Sequence, residues 1–222
     1  MDPTAFCNHD CIRCSYTQDI DGAREETIYE QGHKLTLERF LSFIDECKAT
    51  GLKAITFSGG GEPLSHPEID QMMQKATDSQ IEFGVITNLS VKIDHNILKH
   101  AVWVRVSLDA ANIDTHTHLH RPKGNRPDFD RVLENITKLR QASPSLDIGV
   151  NFIIQPENYH QIFEAAMLVK HLGASYVRFV PAISSVPIDY TTFWPEIEKQ
   201  QKAARNLADA SFMVYTQQER FL

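Results

Sequence analysis

Residues 54–63 read Ala54-Ile55-Thr56-Phe57-Ser58-Gly59-Gly60-Gly61-Glu62-Pro63, and this stretch decides the fold. A short apolar run with β-branched and aromatic side chains stops at three glycines, and an amphipathic stretch follows at Pro67 to Ser79. A strand that ends in a glycine turn and leads into a helix is a βα unit. The same alternation extends outward on both sides. Strands are predicted at Ala54–Phe57, Glu82–Ile86, Val102–Leu108, Asp147–Ile154 and Tyr176–Val180, each bounded by Gly, Pro, Asn or Asp, and all read as mostly buried. Helices are predicted at Thr36–Ala49, Pro67–Ser79, Asp94–Lys99, Asp128–Ala142 and Tyr159–His171. Thr36 and Asn158 read as N-caps, and Gly51 and Gly173 stand where helices stop. Thr191–Ala210 reads as a helix interrupted near Pro195, and Phe212–Tyr215 as a short closing strand.

Five such units joined by right-handed crossovers force a parallel sheet with helices on its outer face. Eight units need about 250 residues, so 222 residues suit an incomplete barrel. The expected fold is α/β: a partial (β/α)6-type TIM barrel, a parallel sheet with helices on the outside. One domain over residues 1–222 is expected, with a cysteine loop at 7–16, βα units over about 35–181 and a C-terminal helix and short strand over about 191–216. Only Met1 to Phe6 precede Cys7, and Pro3 cannot donate to a ladder, so a first strand is expected to be a stub or to lie outside this chain.

Composition narrows the function. A net charge of -7 offers no footprint for a polyanion. The cluster Arg121, Lys123 and Arg126, broken by Pro122 and Gly124, is too small to reverse that balance. Nucleic acid is therefore not an expected partner. No signal peptide and no apolar run long enough to span a bilayer is read, so no membrane role is expected. Four cysteines in an uneven arrangement argue against a disulfide framework and for a reducing, cytoplasmic setting.

Three of those cysteines, Cys7, Cys11 and Cys14, form a C-x3-C-x2-C triplet. Iron-sulfur clusters are held through four thiolate positions, so three leave one iron open for other chemistry. A zinc site completed by His9 or His33, or three unrelated thiols, are the other readings of the triplet. Cys47, beside Phe40, Phe43 and Ile44 in the first helix, is expected to pack in the core. In parallel βα folds the working surface lies at the C-terminal ends of the strands. There stand Gly59, Gly60, Gly61 and Glu62, then Thr87-Asn88, then Ser107, Leu108 and Asp109, then Asn151, then Pro181. Successive glycines let backbone groups approach a ligand closely, and a carboxylate among free carbonyls suits an ammonium group.

Cys7-Asn8-His9-Asp10-Cys11-Ile12-Arg13-Cys14, together with the Gly59 to Pro63 turn one βα unit later, resembles the radical S-adenosylmethionine (SAM) superfamily. The resemblance covers Asp2 to about Pro181. It implies a [4Fe-4S] cluster on Cys7, Cys11 and Cys14, with the open iron chelated by the methionine moiety of SAM. Reductive cleavage of SAM would give a 5'-deoxyadenosyl radical that removes a hydrogen atom from a substrate. It also implies that Gly59, Gly60, Gly61 and Glu62 hold the methionine ammonium, and that Asn88, Ser107 and Asp109 reach the methionine or ribose. Arg121 would pair with the SAM carboxylate, and Asn151 and Val180 would contact ribose and adenine. An electron donor such as flavodoxin or ferredoxin is implied as a partner.

One position departs from the family pattern: Arg13 stands where an aromatic residue usually packs over the cluster and adenine. Arg13 is expected to favour the reduced cluster or to meet an anionic group of the substrate, and Tyr16 is a candidate for the missing ring. His116, His118 and His120 are expected in the loop leading to Arg121, and His66 is expected to be structural. Tyr190, Tyr215 and the segment Ala182–Tyr190 are candidate substrate-facing positions. The substrate is a small molecule or peptide; the sequence around the turn most resembles enzymes that modify peptides or sugars in biosynthetic pathways. No cysteine follows Cys47 to hold an auxiliary cluster, which favours a redox-neutral epimerisation or rearrangement, or marks the chain as a piece of a longer one. Two rival readings stand: a zinc-binding interaction module, and a non-catalytic scaffold or partner that keeps the fold.

Overall fold

Six strands pair in chain order into one parallel sheet: β1 (Ala54–Phe57), β2 (Glu82–Thr87), β3 (Trp103–Ser107), β4 (Asp147–Ile154), β5 (Tyr176–Pro181) and β6 (Met213–Thr216). A computed structural model describes residues 1–14, 16, 33–124, 126–183 and 187–216. β1 and β6 lie at opposite edges, so the sheet is open, as expected of a partial TIM barrel. Helices connect successive strands: α1 (Leu37–Ala49), α2 (Ile69–Asp78), α3 (His95–Leu98), α4 (Ile113–His120), α5 (Phe129–Ala142), α6 (Ile162–His171) and α7 (Trp194–Arg205).

The strands do not read as uniformly buried. β3, β4 and β5 alternate, with Val104, Val106, Ile148, Val150, Phe152, Val177 and Phe179 fully buried. Their neighbours Trp103, Arg105, Ser107, Asn151, Tyr176, Arg178 and Val180 are only half-buried. Successive strand residues point to opposite faces, so one face of the sheet carries the core with the helices, and the other is a concave surface. The core face includes Phe57, whose ring lies 5.8 Å from those of both Phe40 and Phe83.

Before β1 the chain makes the expected stub. Met1 N donates to Thr56 O (2.9 Å) and Ser58 N to Met1 O (3.0 Å), the bond pair of a parallel neighbour. Thr4 then bridges Lys34, with Ala5 N donating to His33 O and Leu35 N to Pro3 O.

Several boundaries differ from expectation for physical reasons. Pro195 lies in the first turn of α7 rather than interrupting it, because its missing N–H costs nothing there. Asn158 does not cap a helix through its side chain. Its amide donates to Asp109 O and Ile153 O (2.8 Å each), and a short 3-10 turn precedes α6. α4 occupies the segment expected as a loop, capped by Asn112, whose Oδ1 accepts from Thr115 N (2.9 Å). Cys47 is half-buried rather than in the core, which α1 enters through Phe40 and Ile44.

Phe57→Ala tests whether this edge of the sheet is as tightly packed as its inside. Loss of the ring is expected to cost about 3–5 kcal/mol, as for other buried Phe truncations. A urea midpoint shift with unchanged slope would report it; a loss under about 1 kcal/mol would mean that the edge repacks.

Candidate functional site

The glycine turn between β1 and α2 is built around a buried carboxylate. Glu62 is 3% exposed. Its Oε1 accepts from Thr87 Oγ1 (2.6 Å) and Leu64 N (3.0 Å), and its Oε2 accepts from Asn88 N (2.7 Å). Burial raises its pKa, and the three donors oppose that rise. The side chain therefore fastens the turn to the end of β2. Gly61 is required for a different approach than that of a ligand. A Cβ there would stand 2.2 Å from Phe6 O, because the N-terminal segment crosses the turn and Glu62 N donates to Phe6 O (2.9 Å).

The cysteine loop hangs on this turn and on α4. Asn88 Nδ2 donates to Asn8 Oδ1 (2.9 Å) and lies 4.0 Å from Cys7 Sγ. Asp10 N donates to His120 O (3.0 Å) and Ile12 N to Leu119 O (2.9 Å), so the loop satisfies carbonyls that the end of α4 leaves without helical partners. Lys123 N donates to Asn8 O (2.8 Å). Arg13 is held by a fork: Nη1 and Nη2 meet the two oxygens of Glu157 at 2.8 and 2.9 Å, and Nη1 donates to Gln155 Oε1 (2.7 Å). The guanidinium is thus engaged with the loop after β4. It ties the third cysteine to that loop, with its charge paired to Glu157. Tyr16 is 38% exposed.

The three thiols share one electrostatic environment. Burial pushes Cys7 up to about 11, aided by Glu62 and Cys14. Burial also raises Cys11 well above its ordinary value, aided by Cys7 and Cys14. Cys7 and Cys11, half-buried thiols whose ionised forms are disfavoured, suit a cation beside them, and a cationic metal centre would supply it. Cys11 has a second neighbour: His120 Nδ1 lies 3.4 Å from its Sγ, while His120 Nε2 donates to Leu108 O (3.0 Å). Among the described residues, the ligand-bearing atoms of His9, Cys11 and His120 lie within 4.8 Å of one another. His9 Nε2 donates to Asp128 Oδ2 (2.8 Å), and His9 Nδ1 is buried with no partner among the described residues. Burial works against the ionised Asp128, and the bond from His9 outweighs it, so that carboxyl sits below its usual range.

The remaining predicted residues separate into two groups. Ser107, Asn151 and Val180 share a cavity of about 250 Å³ on the concave face. Asp109 faces away from it, 6% exposed, with a left-handed backbone (φ 53°) and Oδ1 accepting from Ile153 N (2.6 Å). Burial pushes it up to about 7. Arg121 is exposed at the left-handed end of α4, and Gly59 and Gly60 are half-buried. His66 is structural: its Nε2 bonds Leu35 O (2.8 Å) and its Nδ1 accepts from Glu68 N (3.1 Å). Tyr190 is turned inward, donating to Ile154 O and accepting from Ala182 N (2.9 Å each), whereas Tyr215 is 49% exposed on β6. Residues 184–186 of the segment 182–190 lie outside the described residues. His116 and His120, expected in a loop, are buried and stacked on α4 with ring centroids 4.4 Å apart.

Comparison with known proteins shows the family and the fold. The model of the radical SAM superfamily matches residues 1–169, and the chain belongs to that superfamily. It is 30% identical to an AdoMet-dependent heme synthase of Methanosarcina barkeri over 77% of this chain and 46% of the relative. It is 25% identical to an S-adenosylmethionine-dependent nucleotide dehydratase of Selenomonas ruminantium over 68% of this chain and 54% of the relative. Streptococcus suis SuiB bound to S-adenosylmethionine shares the fold, with a TM-score of 0.73 at 14% identity over 97% of this chain and 49% of SuiB. The chain spans about half the length of these relatives. Among the described residues no helix is long and apolar enough to cross a membrane.

Two substitutions test the construction of the site. Gly61→Ala forces Phe6 and the cysteine loop off the turn, and iron retained after anaerobic reconstitution is expected to fall below about half of the unsubstituted level, given a Cβ contact that no relaxed backbone tolerates. Asp109 carries a folded-state pKa above its ordinary value, so it contributes stability below about pH 4 that is lost as pH rises toward 7. Asp109→Asn keeps the acceptor for Ile153 N and cannot ionise. Its melting temperature is expected to fall less than that of the unsubstituted protein between pH 5 and pH 8; parallel curves would refute the inward, raised carboxyl.

Proposed function

We propose that this chain binds one [4Fe-4S] cluster through Cys7, Cys11 and Cys14 and uses it with SAM as a radical SAM enzyme. The observation that carries the reading is the three-thiol loop anchored on the glycine turn: three half-buried cysteines, one ligand short of a complete cluster set. When bound, the cluster supplies the electron that cleaves SAM reductively and yields the 5'-deoxyadenosyl radical. The chain's own part is to bind and orient.

The carbonyls of Gly59, Gly60 and Gly61 would meet the methionine ammonium at the strand end. Glu62 acts by holding that turn in place, since its oxygens are bonded to Thr87, Leu64 and Asn88. Asn88 positions Cys7 and Asn8, and Asp109 positions the ends of β3 and β4. Ser107, Asn151 and Val180, on the cavity wall, are the residues that would touch ribose and adenine. Arg121, exposed beside the loop, is free to pair with the SAM carboxylate. The substrate is proposed to be a small molecule or peptide, and flavodoxin or ferredoxin the class of electron donor. Structural neighbours include SuiB bound to its precursor peptide, SuiA, which supports a peptide among the candidates.

A second reading is favoured by one observation. His9, Cys11 and His120 form a group that suits a single zinc ion, with each imidazole's other nitrogen already donating to Asp128 or to a carbonyl. Anaerobic reconstitution separates the two. About four irons per chain, with 5'-deoxyadenosine formed from SAM and dithionite and lost in Cys11→Ala, is the expected result. One tightly held zinc and a colourless protein would overturn it in favour of the second reading. A cluster without SAM cleavage would make the chain a non-catalytic scaffold of the same fold.

A further inference from the structure

The concave face carries two arginines that the site described above does not use. Arg105 on β3 and Arg178 on β5 line the same cavity of about 250 Å³ as Ser107, Asn151 and Val180. The sheet register fixes their relation: Arg105 stands opposite Gly149, and Arg178 opposite Asn151. Both arginines therefore lie on one face, flanking β4, in a staggered pair: Arg178 is level with Asn151 and, across it, Ser107, whereas Arg105 lies two residues nearer the strands' N-terminal ends, about 7 Å deeper. Among the described residues neither pairs with a carboxylate; the ion pairs of arginine and lysine lie elsewhere. The acids of this face, Glu82 and Asp147, open their strands at the far end and are exposed, outside the cavity lining.

An aromatic ring supports one of the two guanidiniums without neutralising it. Arg105 lies over the Trp103 ring, 5.5 Å from its centroid. The Tyr176 ring covers Gly149, where a Cβ would meet its Cζ at 1.9 Å, so glycine is what lets the ring lie across β4 at the level of Arg105. Burial raises the Tyr176 hydroxyl; the charges of Arg105 and Arg178 reach it and oppose that rise, and that of Asp147 adds to it. Among the described residues the two half-buried cations have no carboxylate within ion-pair distance, which leaves both forks open to an anion. In a chain of net charge -7 they form a local positive well rather than part of a basic surface.

We infer that Arg105 and Arg178 bind the acidic group, phosphate or carboxylate, of a small substrate held on the concave face next to the residues proposed to touch SAM. Ser107 and Asn151 stand next to them as neutral donors, and a guanidinium fork matches either oxyanion in bidentate fashion. The inference rests on the proposed function only for what lies above the anion; the anion site itself requires no cluster.

The test uses the anaerobically reconstituted full chain with saturating SAM and no reductant, so that any site for the SAM carboxylate is already filled. Binding of inorganic pyrophosphate and of adipate is measured by calorimetry at fixed ionic strength. At least one is expected to bind, and Arg105→Gln and Arg178→Gln each to weaken it about 10- to 100-fold, the loss of a charge-assisted contact. Lys202→Gln, an exposed charge on α7, should leave it unchanged. Tight pyrophosphate with weak adipate assigns a phosphorylated substrate, and the reverse a carboxylated one. Arg105→Lys and Arg178→Lys should recover part of the affinity, a result that misfolding would not produce. No binding of either anion, or equal binding in the Gln variants, overturns the inference. Dithionite-driven 5'-deoxyadenosine formation in the same samples reads the proposed function separately: anion binding without cleavage sinks that function alone, and cleavage without anion binding sinks only this inference.

Discussion

The buried carboxylate of Glu62 is the constraint on which the working edge of this protein depends. A group of that kind is unfavourable inside a protein unless its oxygens are bonded, and three donors meet it from the turn itself and from the end of β2. The turn is thereby fixed relative to two strands, and everything N-terminal follows. Phe6 packs on Gly61, Asn88 reaches Asn8 and Cys7, and the first cysteine acquires a defined place. The second is placed through the end of α4, whose carbonyls accept from Asp10 and Ile12. The third follows Arg13, clamped to Glu157 and Gln155 after β4. Three cysteines close together in sequence are thus tied to three separate stretches of the sheet edge, so the geometry of the thiols is set by the barrel rather than by the loop.

Much of this was legible in the residues. All five strands predicted before the C-terminal helix are present, because β-branched runs bounded by glycine and proline leave little choice at that spacing. α4 was not legible. Ile113-Asp114-Thr115-His116-Thr117-His118-Leu119-His120 repeats histidine with period two and has few apolar residues, whereas its buried side is His116, Leu119 and His120. A helix that buries imidazoles against Asp128 and Phe129 carries its periodicity in residues that a hydropathy pattern counts as polar.

The site residues divide along a similar line. A carboxylate at a strand end reads as ligand-facing, yet Glu62 and Asp109 both turn toward backbone N–H groups of neighbouring segments. Sequence cannot distinguish these, because a carboxylate that accepts from a ligand ammonium and one that accepts from a peptide N–H occupy the same kind of position. Arg105 and Arg178 had a visible signal that went unread. Trp103-Arg105-Ser107 and Tyr176-Arg178-Val180 alternate with fully buried residues, and a charged side chain in mid-strand on the same side as the expected cofactor contacts marks the concave face.

The open sheet gives that face its meaning. A closed barrel of eight strands fills its interior with layers of side chains. Here β1 and β6 do not meet, and at Gly149 it is the Tyr176 ring from the neighbouring strand, not a side chain of β4, that covers the sheet. Arg105 lies over the Trp103 ring, and it lines the cavity together with Arg178 and with Ser107 and Asn151 of β3 and β4. Charge on that face is therefore concentrated at two guanidiniums lining the cavity, while the acids of the same face, Glu82 and Asp147, stand exposed where their strands begin. An open sheet can keep such charges apart because its concave side is not filled by packed layers of side chains.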